Sequence, residues 1–271
     1  MTAHPPSPPA PSRLGHGDGP ATAVHRTREG RAALRLNEYD QPVGEPVPDW
    51  SPRPLPGAVT LAGRFCRLEP LDADRHAAEL HAAYRTGSDG RDWTYMAVGP
   101  FEQARDYRRY VEEAAAGSDP RHYAVIDLRD GRAVGTLALM RQDPVHGVIE
   151  IGNVMFSPAM KRRPLSTEAQ FLAMRYVFDD LGYRRHEWKC DSLNAPSRTT
   201  AVRLGFTFEG VFRQAVVYKG RTRDTAWYSV TDTEWPAVGR ALRAWLAPEN
   251  FDDRAVQRRA LAELRAAAAG G

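Results

Sequence analysis

Three consecutive basic residues precede a long helical pattern in the sequence. They are Lys161, Arg162 and Arg163, and the hydroxyl side chains of Ser166 and Thr167 follow them. Because the first N–H groups of a helix lack partners within the helix and lie at the positive end of its dipole, this junction can bind an anion. The pattern therefore predicts a site for phosphate or pyrophosphate, and a basic surface loop is the alternative.

A second segment of interest runs from Asn194 to Gly210. Asn194 can cap a helix, Pro196 is tolerated in its first turn, and Gly205 ends it. Ser197 lies in that first turn, where a serine is ordinary. From physical chemistry alone, the segment is a helix cap followed by a helix stop.

The hydrophobic pattern predicts the elements that would position both segments. Strands are expected at 64–69, 122–128, 133–140, 148–156, 184–191, 206–218 and 224–230. Helices are expected at 72–84, 101–116, about 171–181, 195–204, 235–246 and 253–268. A three-strand meander is followed by a strand–helix–strand crossover, which makes two strands parallel within an otherwise antiparallel sheet. The predicted fold class is mixed α/β, with one central sheet flanked by helices.

Composition divides the chain into four parts. Residues 1–36 are rich in Pro, Gly and charge, and we expect a disordered tail because proline lacks the N–H that regular structure needs. Residues 37–58 are interpreted as an extended arm or linker. The folded domain is expected at 59–247, and a terminal Ala/Arg-rich helix at 248–271.

The overall composition excludes several classes of protein. Of 271 residues, 42% are apolar and 26% are charged, which is ordinary for a globular domain. The net charge of +3 does not favour a nucleic-acid partner, and no apolar run is long enough to span a membrane. The two cysteines, Cys66 and Cys190, and the lack of a signal-peptide pattern predict a cytoplasmic protein. The histidine spacing does not fit a metal site, so no metal is expected.

The second segment resembles a motif of a known enzyme family. Asn194, Ser197, Arg203-Leu204-Gly205-Phe206 and Glu209-Gly210 are similar to the segment after the fifth strand of GNAT N-acetyltransferases. The branch that it resembles most contains the ribosomal-protein alanine N-acetyltransferases. The basic loop followed by Thr167-Glu168-Ala169 is similar to the acetyl-CoA loop of that branch. The predicted order of elements also agrees, from about residue 60 to residue 235.

The resemblance implies that acetyl-CoA binds between two parallel strands. In the family, the third meander strand and the following parallel strand separate into a V, and the pantetheine amides pair with the strand backbone. Here that implies backbone contacts near Val154, Met155 and Phe156. Asn194 matches an asparagine that contacts the cofactor in the family.

The loop that would bind the pyrophosphate departs from the family pattern, which is Gln/Arg-x-x-Gly-x-Gly/Ala. Lys161, Pro164 and Ser166 occupy the three defined positions. Lysine keeps the charge, whereas proline removes an N–H donor but is favoured at the first position of a helix. The expected cofactor set is completed by cations and N–H donors of the same loop: Arg162, Arg163, Leu165, Ser166 and Thr167.

The family chemistry is direct attack of an amine on the thioester, which needs a base for the ammonium proton and an acid for the departing thiolate. Many members place a tyrosine acid where this chain has Ala201. In the branch named above, a serine in the first turn of the helix takes the role of the acid, and Ser197 matches that serine. Glu150 lies on the strand that would face the acceptor, where family members often have a carboxylate, so it is the candidate base. Asp191 is the second candidate. A solvated charge and a turn residue are their respective alternatives.

These implications predict an acetyl-CoA-dependent N-acetyltransferase that moves acetyl to a primary amine in a ternary complex. The acceptor stays open among a protein N-terminal amine, a polyamine and an aminoglycoside-like amine, and the branch favours the first. Trp93, Tyr95, Trp188 and Trp227 are candidates for an acceptor pocket, although aromatic residues are more often core. Many relatives pair as dimers, so a homodimer is one expected assembly. The alternative function is a GNAT-fold acyl-CoA sensor or interaction module without catalysis, because the loop is altered and the tyrosine is missing.

Overall fold

The computed structural model describes residues 35–254 and 256–269, which fall into two units. The first, residues 35–50, holds a short antiparallel hairpin of β1 (Arg35–Leu36) and β2 (Pro42–Val43). Asn37 closes the turn, because its side-chain oxygen accepts from the N–H groups of Tyr39 and Gln41. The disordered tail predicted for residues 1–36 lies outside the described residues as far as residue 34.

The second unit, residues 51–269, is built on one eight-stranded sheet. Its strands are β3 (Leu61–Ala62), β4 (Cys66–Pro70), β5 (Arg121–Asp127), β6 (Ala133–Asp143), β7 (Val148–Phe156), β8 (Arg185–Asp191), β9 (Thr207–Tyr218) and β10 (Arg221–Thr231). They lie in the order β3-β4-β5-β6-β7-β8-β10-β9, and β7 and β8 form the parallel pair. The other neighbours are antiparallel. The predicted mixed α/β fold with one parallel pair is therefore confirmed.

Six α-helices occur among the described residues of this unit. They are α1 (Ala73–Arg85), α2 (Ala104–Ala116), α3 (Pro164–Arg175), α4 (Ala195–Leu204), α5 (Trp235–Leu246) and α6 (Leu261–Ala269). A π-helical turn at Tyr176–Asp180 extends α3. Short 3-10 turns lie at Arg91–Trp93 and Pro248–Asn250. None of the helices in the described part of the chain is long and apolar enough to cross a membrane.

The two faces of the sheet carry separate apolar clusters. On one face, which we call the α3 face, α3, α5 and α6 pack against a core that includes Ile149 and Ile151. On the other, the α1 face, α1 and α2 pack against Ala124 and Ile126. Successive side chains of a strand point to opposite faces, so Glu150 lies on the α1 face between two residues of the α3 face. At β7 the α1 face therefore presents the carboxylate of Glu150, whereas the α3 face presents the apolar side chains on either side of it.

The C-terminal helix begins at Leu261, and its predicted start at residue 253 is wrong. The Asp252 carboxylate accepts the N–H groups of Arg254 and Val256, and this local hydrogen bonding competes with a helix. The Asn250 side chain also accepts from the N–H of Arg259. The helix that follows belongs to the main core, because its residues Leu261 and Leu264 are buried in the cluster of the α3 face.

The segment immediately before residue 59 also contacts the sheet and helices. The N–H of Gly57 donates to the Tyr176 hydroxyl at 2.9 Å, and the Tyr123 hydroxyl donates to the Gly57 carbonyl at 2.9 Å. The N–H of Arg53 donates to the carbonyl of Pro144. Residues 53–57 are thus held against the unit that was predicted to begin at residue 59.

Candidate active site between the parallel strands

The parallel strands β7 and β8 separate before either of them ends. Their pairing runs from Val148 opposite Arg185 to Ile151 opposite Trp188, whereas β7 continues to Phe156 and β8 to Asp191. Each strand keeps its outer neighbour, β6 or β10, beyond that point. We call the gap between residues 152–156 and 189–191 the cleft. It corresponds to the V that the resemblance predicted.

A β-bulge in β7 contributes to this separation. Gly152 pairs with Ala138 and Met155 with Thr136, so two residues of β7 oppose one of β6. Asn153, the first of the two, has a left-handed φ of 49°. A bulge bends and twists its strand, which turns the last residues of β7 away from β8.

The three β7 residues predicted to contact the cofactor divide between the two faces. Val154 and Phe156 pack against the cluster of the α3 face, and Met155 is buried on the α1 face. The Tyr84 hydroxyl donates to the Met155 carbonyl at 3.0 Å and lies 3.1 Å from the Thr136 hydroxyl. Burial raises the pKa of Tyr84, so its proton stays in place. A tyrosine of α1 therefore fixes the bulged strand.

The basic loop forms a tight turn whose charged side chains reach solvent. The N–H groups of Met160 and Lys161 both donate to the Ser157 carbonyl. Arg162 has a left-handed φ of 61°, and Arg163 occupies the N-cap of α3 without a side-chain cap. The side chains of Lys161, Arg162 and Arg163 are exposed. Three cations thus surround a helix N-terminus that no side chain caps, as an anion site requires.

The other loop residues predicted for the cofactor already have partners or are buried. Leu165 is part of the core, so only its backbone can face a ligand. The Ser166 hydroxyl donates to the Arg163 carbonyl at 2.8 Å. The Thr167 hydroxyl accepts from the Arg203 guanidinium at 3.0 Å. Arg203 was named above only within the family motif and not as a cofactor residue. Burial lowers its pKa, and it brings a further cation to the first turn of α3.

One predicted cofactor residue is held by the connection between α1 and α2. The Lys161 ammonium lies 2.5 Å from the Asp92 carboxylate. The same connection is tied to the hairpin of β9 and β10, because Lys219 donates to the Trp93 carbonyl and Arg221 to the Thr94 carbonyl, both at 2.8 Å. Residues 92–94 therefore link the basic loop to the hairpin.

Ser197 lies at the start of α4 with its hydroxyl oriented by the preceding strand. The Trp188 indole N–H donates to Ser197 Oγ at 3.0 Å. Asn194 caps the helix, because its Oδ1 accepts the Ser197 N–H at 3.1 Å. Since Oγ accepts from Trp188, the Ser197 proton points to another group, and the nearby Cys190 sulfur is its partner here. Burial raises the pKa of neighbouring Cys190, which keeps it a thiol.

Glu150 lies across the sheet from Ser197 and is buried. The Lys189 ammonium is 3.0 Å and the Arg141 guanidinium 3.4 Å from the same oxygen, Oε2, as ion pairs rather than aligned hydrogen bonds. Burial is the largest influence on Glu150 and raises its pKa, while the two cations oppose it. The second candidate, Asp191, accepts from the Tyr218 hydroxyl and from the N–H of Leu193, as a turn residue does.

Sequence reasoning missed the other charges beside Glu150. The Lys189 ammonium lies 2.6 Å from a Glu187 oxygen and 3.7 Å from the centre of the Trp227 ring. The signal was present in β8, where charged residues at 185, 187, 189 and 191 alternate with apolar or aromatic ones. Such alternation places the charges on one face, but it does not show which strands lie beside them.

The four aromatic residues proposed for an acceptor pocket have different roles. Trp93 and Trp188 are core residues of the α1 and α3 faces, respectively. The Tyr95 hydroxyl donates to the Leu193 carbonyl near the cleft. Trp227 faces the Lys189 ammonium and is half-buried. Tyr95 and Trp227 are thus the two that remain at the cleft.

A cavity of about 470 Å³ adjoins the basic loop on the side of the sheet edge. It is formed by the start of α3, the approach to β4, the turn after β5 and the segment before α6. Arg163 and Leu165 of the predicted cofactor set line it, together with Arg64 and Arg129. The described residues contain no group of three His, Cys, Asp or Glu side chains placed to hold a metal ion.

Comparison with known proteins agrees with this architecture. The family model described as "Acetyltransferase (GNAT) domain" matches residues 66–207. A curated relative from Bacillus subtilis (strain 168), "Putative ribosomal N-acetyltransferase YdaF", is 29% identical over 175 residues, which are 62% of this chain and 90% of that protein. The crystal structure of a GCN5-related N-acetyltransferase from Brucella melitensis has 49% identity and a TM-score of 0.80, and the match covers 81% of this chain and all of that one.

A more distant structure was solved with ligands. The microcin C7 self-immunity acetyltransferase MccE, in complex with acetyl-CoA and AMP, is 20% identical and has a TM-score of 0.55 over 62% of this chain and 93% of that one. At this identity the likeness shows a shared fold. The matched residues 66–207 include β7, the basic loop, α3 and β8, so the separated parallel pair and the crossover that joins it belong to an acetyltransferase domain. The chain belongs to the GNAT acetyltransferase family.

Proposed function

We propose that this protein is an acetyl-CoA-dependent N-acetyltransferase that moves acetyl to a primary amine by direct attack in a ternary complex. The observation that carries the proposal is that two candidate groups lie on opposite faces of the sheet, next to the cleft. Ser197, at the start of α4, lies on the α3 face, and Glu150 lies on the α1 face. A thioester threaded through the cleft would have an acid near its sulfur and a base on the side of the incoming amine.

The basic loop supports the cofactor part of the proposal. Lys161, Arg162 and Arg163 would neutralise the pyrophosphate, and the N–H of Leu165 at the uncapped start of α3 would donate to it. The edge of β7 at residues 154–156 would pair with the pantetheine amides, and Asn194 would contact the same arm. Pro164 occupies the first helical position, where a missing N–H costs least. The cofactor phosphates would compete with Asp92 for the Lys161 ammonium.

The proposed reaction uses Glu150 and Ser197 in one sequence. Glu150 takes the proton of the acceptor ammonium, and the free amine nitrogen attacks the thioester carbonyl carbon. The C–N bond forms, the C–S bond breaks, and the Ser197 hydroxyl donates its proton to the departing thiolate. The bonded nitrogen still carries two protons, and one of them passes through solvent to the Ser197 oxygen. The products are then the amide and the thiol of CoA, and Ser197 is restored. A carboxylate whose pKa is raised by burial suits the first step, because a base is most effective when its pKa approaches the working pH.

The acceptor class that we favour is an N-terminal amine of a protein. The relative named as a ribosomal N-acetyltransferase supports this choice, and it covers 62% of this chain at 29% identity. A polyamine or an aminoglycoside-like amine would use the same chemistry. Fold does not determine the acceptor, so these three classes form the substrate panel.

The test measures release of CoA and acetylation of the acceptor by mass spectrometry. The panel contains peptides with free N-termini, the same peptides with blocked N-termini, a polyamine and an aminoglycoside. We expect acetylation of free N-termini, with kcat reduced at least about 100-fold in Ser197→Ala and in Glu150→Gln. Thr199→Ala, an exposed hydroxyl on the same helix, is the matched control and should keep full activity. Acetyl-CoA binding with no turnover of any amine would instead support the acyl-CoA sensor.

A further inference from the structure

Six charged side chains of alternating sign cross the α1 face of the sheet. In spatial order from β9 to β6 they are Glu209, Arg185, Glu187, Lys189, Glu150 and Arg141. The ion-pair distances between successive members are 2.5, 2.8, 2.6, 3.0 and 3.4 Å. We call this set the charge ladder. Its two ends are open to solvent, whereas the side chains of Glu187, Lys189 and Glu150 are at most 10% exposed.

The Lys189 ammonium is the central cation of the buried part of this ladder. A buried ammonium is unfavourable unless charges and hydrogen bonds compensate for the lost water. Here Glu187 and Glu150 approach it from two strands, and the face of Trp227 on β10 lies 3.7 Å away. Three strands therefore fix the position of one ammonium next to the candidate base.

We propose that Lys189 is a positioning residue, whose ammonium, held by Glu187 and Trp227, fixes the Glu150 carboxylate at the cleft and keeps it ionised until it takes the proton of the acceptor. This inference rests on the proposed function, because it gives Glu150 the role of base. Lys189 touches neither the acceptor nor the cofactor in this account. It acts through the carboxylate.

The geometry explains why the two oxygens of Glu150 would differ. Lys189 and Arg141 both approach Oε2, so that oxygen is committed to the ladder. The proton of the acceptor would then go to Oε1. When Glu150 becomes protonated, the ladder loses one negative charge, and the ammonium of Lys189 keeps Glu187 as its partner. The base can thus change its charge without leaving a buried cation unpaired.

The charges that face Glu150 make opposite predictions for two variants. The cations are Lys189 from β8 and Arg141 from β6, and the nearby anion is Glu187 from β8. Lys189→Met removes an attractive charge, so the carboxyl should titrate at a higher pH. Glu187→Gln removes a repulsive charge, so it should titrate at a lower pH. A purely structural role would not move the two titrations in opposite directions.

The experiment is a carbon-13 NMR titration of the glutamate carboxyl groups in the full chain, with Glu150→Gln used to assign the signal. We expect the midpoint of Glu150 to rise by about one pH unit or more in Lys189→Met and to fall in Glu187→Gln. Lys189→Arg should stay close to the wild type because it keeps the charge. Unchanged midpoints in Lys189→Met and Glu187→Gln would overturn the proposal. If Lys189→Met does not fold, the downward shift in Glu187→Gln and the retained midpoint in Lys189→Arg decide the question.

A second measurement separates this inference from the proposed function. The pH dependence of kcat for acetyl transfer should move with the NMR midpoint in each variant. NMR midpoints that shift as expected while no amine is acetylated would uphold the electrostatic pairing and contradict the role of Glu150 as base. NMR midpoints that stay fixed in a protein that acetylates amines would overturn the role of Lys189 and leave the proposed function standing.

Discussion

Replacing Glu168 with Ala should lower the free energy of unfolding by several kcal/mol. The carboxylate of this α3 residue is buried and accepts the N–H groups of Arg64, Phe65 and Cys66 at 2.7, 2.6 and 2.7 Å. These donors are the first residue of β4 and the two residues before it, so one side chain fixes where that strand begins. Gly63 is needed beside it, because a Cβ at that position would lie 2.5 Å from the Glu168 carboxyl carbon.

The size of the effect follows from the number of donors and their exposure. A buried N–H without an acceptor costs about 1–3 kcal/mol. Cys66 is fully buried, whereas the other two donors are partly exposed, and water can replace some of what they lose. The sum for Glu168→Ala is about 3–5 kcal/mol. For a domain of this size that lowers Tm by about 6–20 °C.

Thermal unfolding followed by circular dichroism measures this change. Glu113→Ala, an exposed glutamate on α2, is the control and should melt within about 2 °C of the wild type. Glu168→Gln keeps the volume and one acceptor oxygen, so it should fall between the two. If Glu168→Ala melts at the same temperature as the control, the three hydrogen bonds do not stabilise the domain.

Three further predictions concern the cofactor loop, the acid and the response to pH. Lys161→Ala should weaken acetyl-CoA binding about tenfold in calorimetry. Asp92→Asn should bind acetyl-CoA as tightly as the wild type or more tightly, because it removes the carboxylate that competes for Lys161. Equal weakening in both variants would contradict this prediction. Trp188→Phe should lower kcat about fivefold to tenfold at unchanged acetyl-CoA affinity. It removes the hydrogen bond, of about 1 kcal/mol, that orients Ser197. A kcat equal to that of the wild type would show that this hydrogen bond does not orient Ser197 for catalysis. Burial lowers the pKa of His186 to about 3, against about 6.5 in the unfolded chain. The unfolded state therefore binds more protons between these two values. As a result, the free energy of unfolding falls as the pH drops from about 6.5 towards 3. His186→Phe should reduce the loss of stability between pH 7 and pH 5 in urea unfolding, and an unaltered loss would show that other groups cause it.

Much of the fold could be predicted from local patterns. The Asp130-Gly131 turn indicated a hairpin between two largely apolar strands, and the crossover through α3 required a parallel pair. The C-terminal helix was placed too early, because its composition is typical of a helix while Asp252 engages the backbone ahead of it. Such competition depends on one side-chain rotamer, which composition does not report.

The candidate site was less accessible from sequence. The basic loop was recognisable because its residues are consecutive, yet nothing local indicated that Thr167 would bind Arg203 or that Lys161 would bind Asp92. Lys189 was missed for a similar reason. Its partners come from β7, β8 and β10, and only the register of three strands brings them together.

Calorimetric titration of the full chain with acetyl-CoA, with free CoA as the comparison, shows whether the cleft and the basic loop bind the cofactor. We expect micromolar binding, on the order of −8 kcal/mol, that weakens in Lys161→Ala. No heat of binding at millimolar acetyl-CoA would contradict it, because the cleft and the basic loop would then not form a cofactor site.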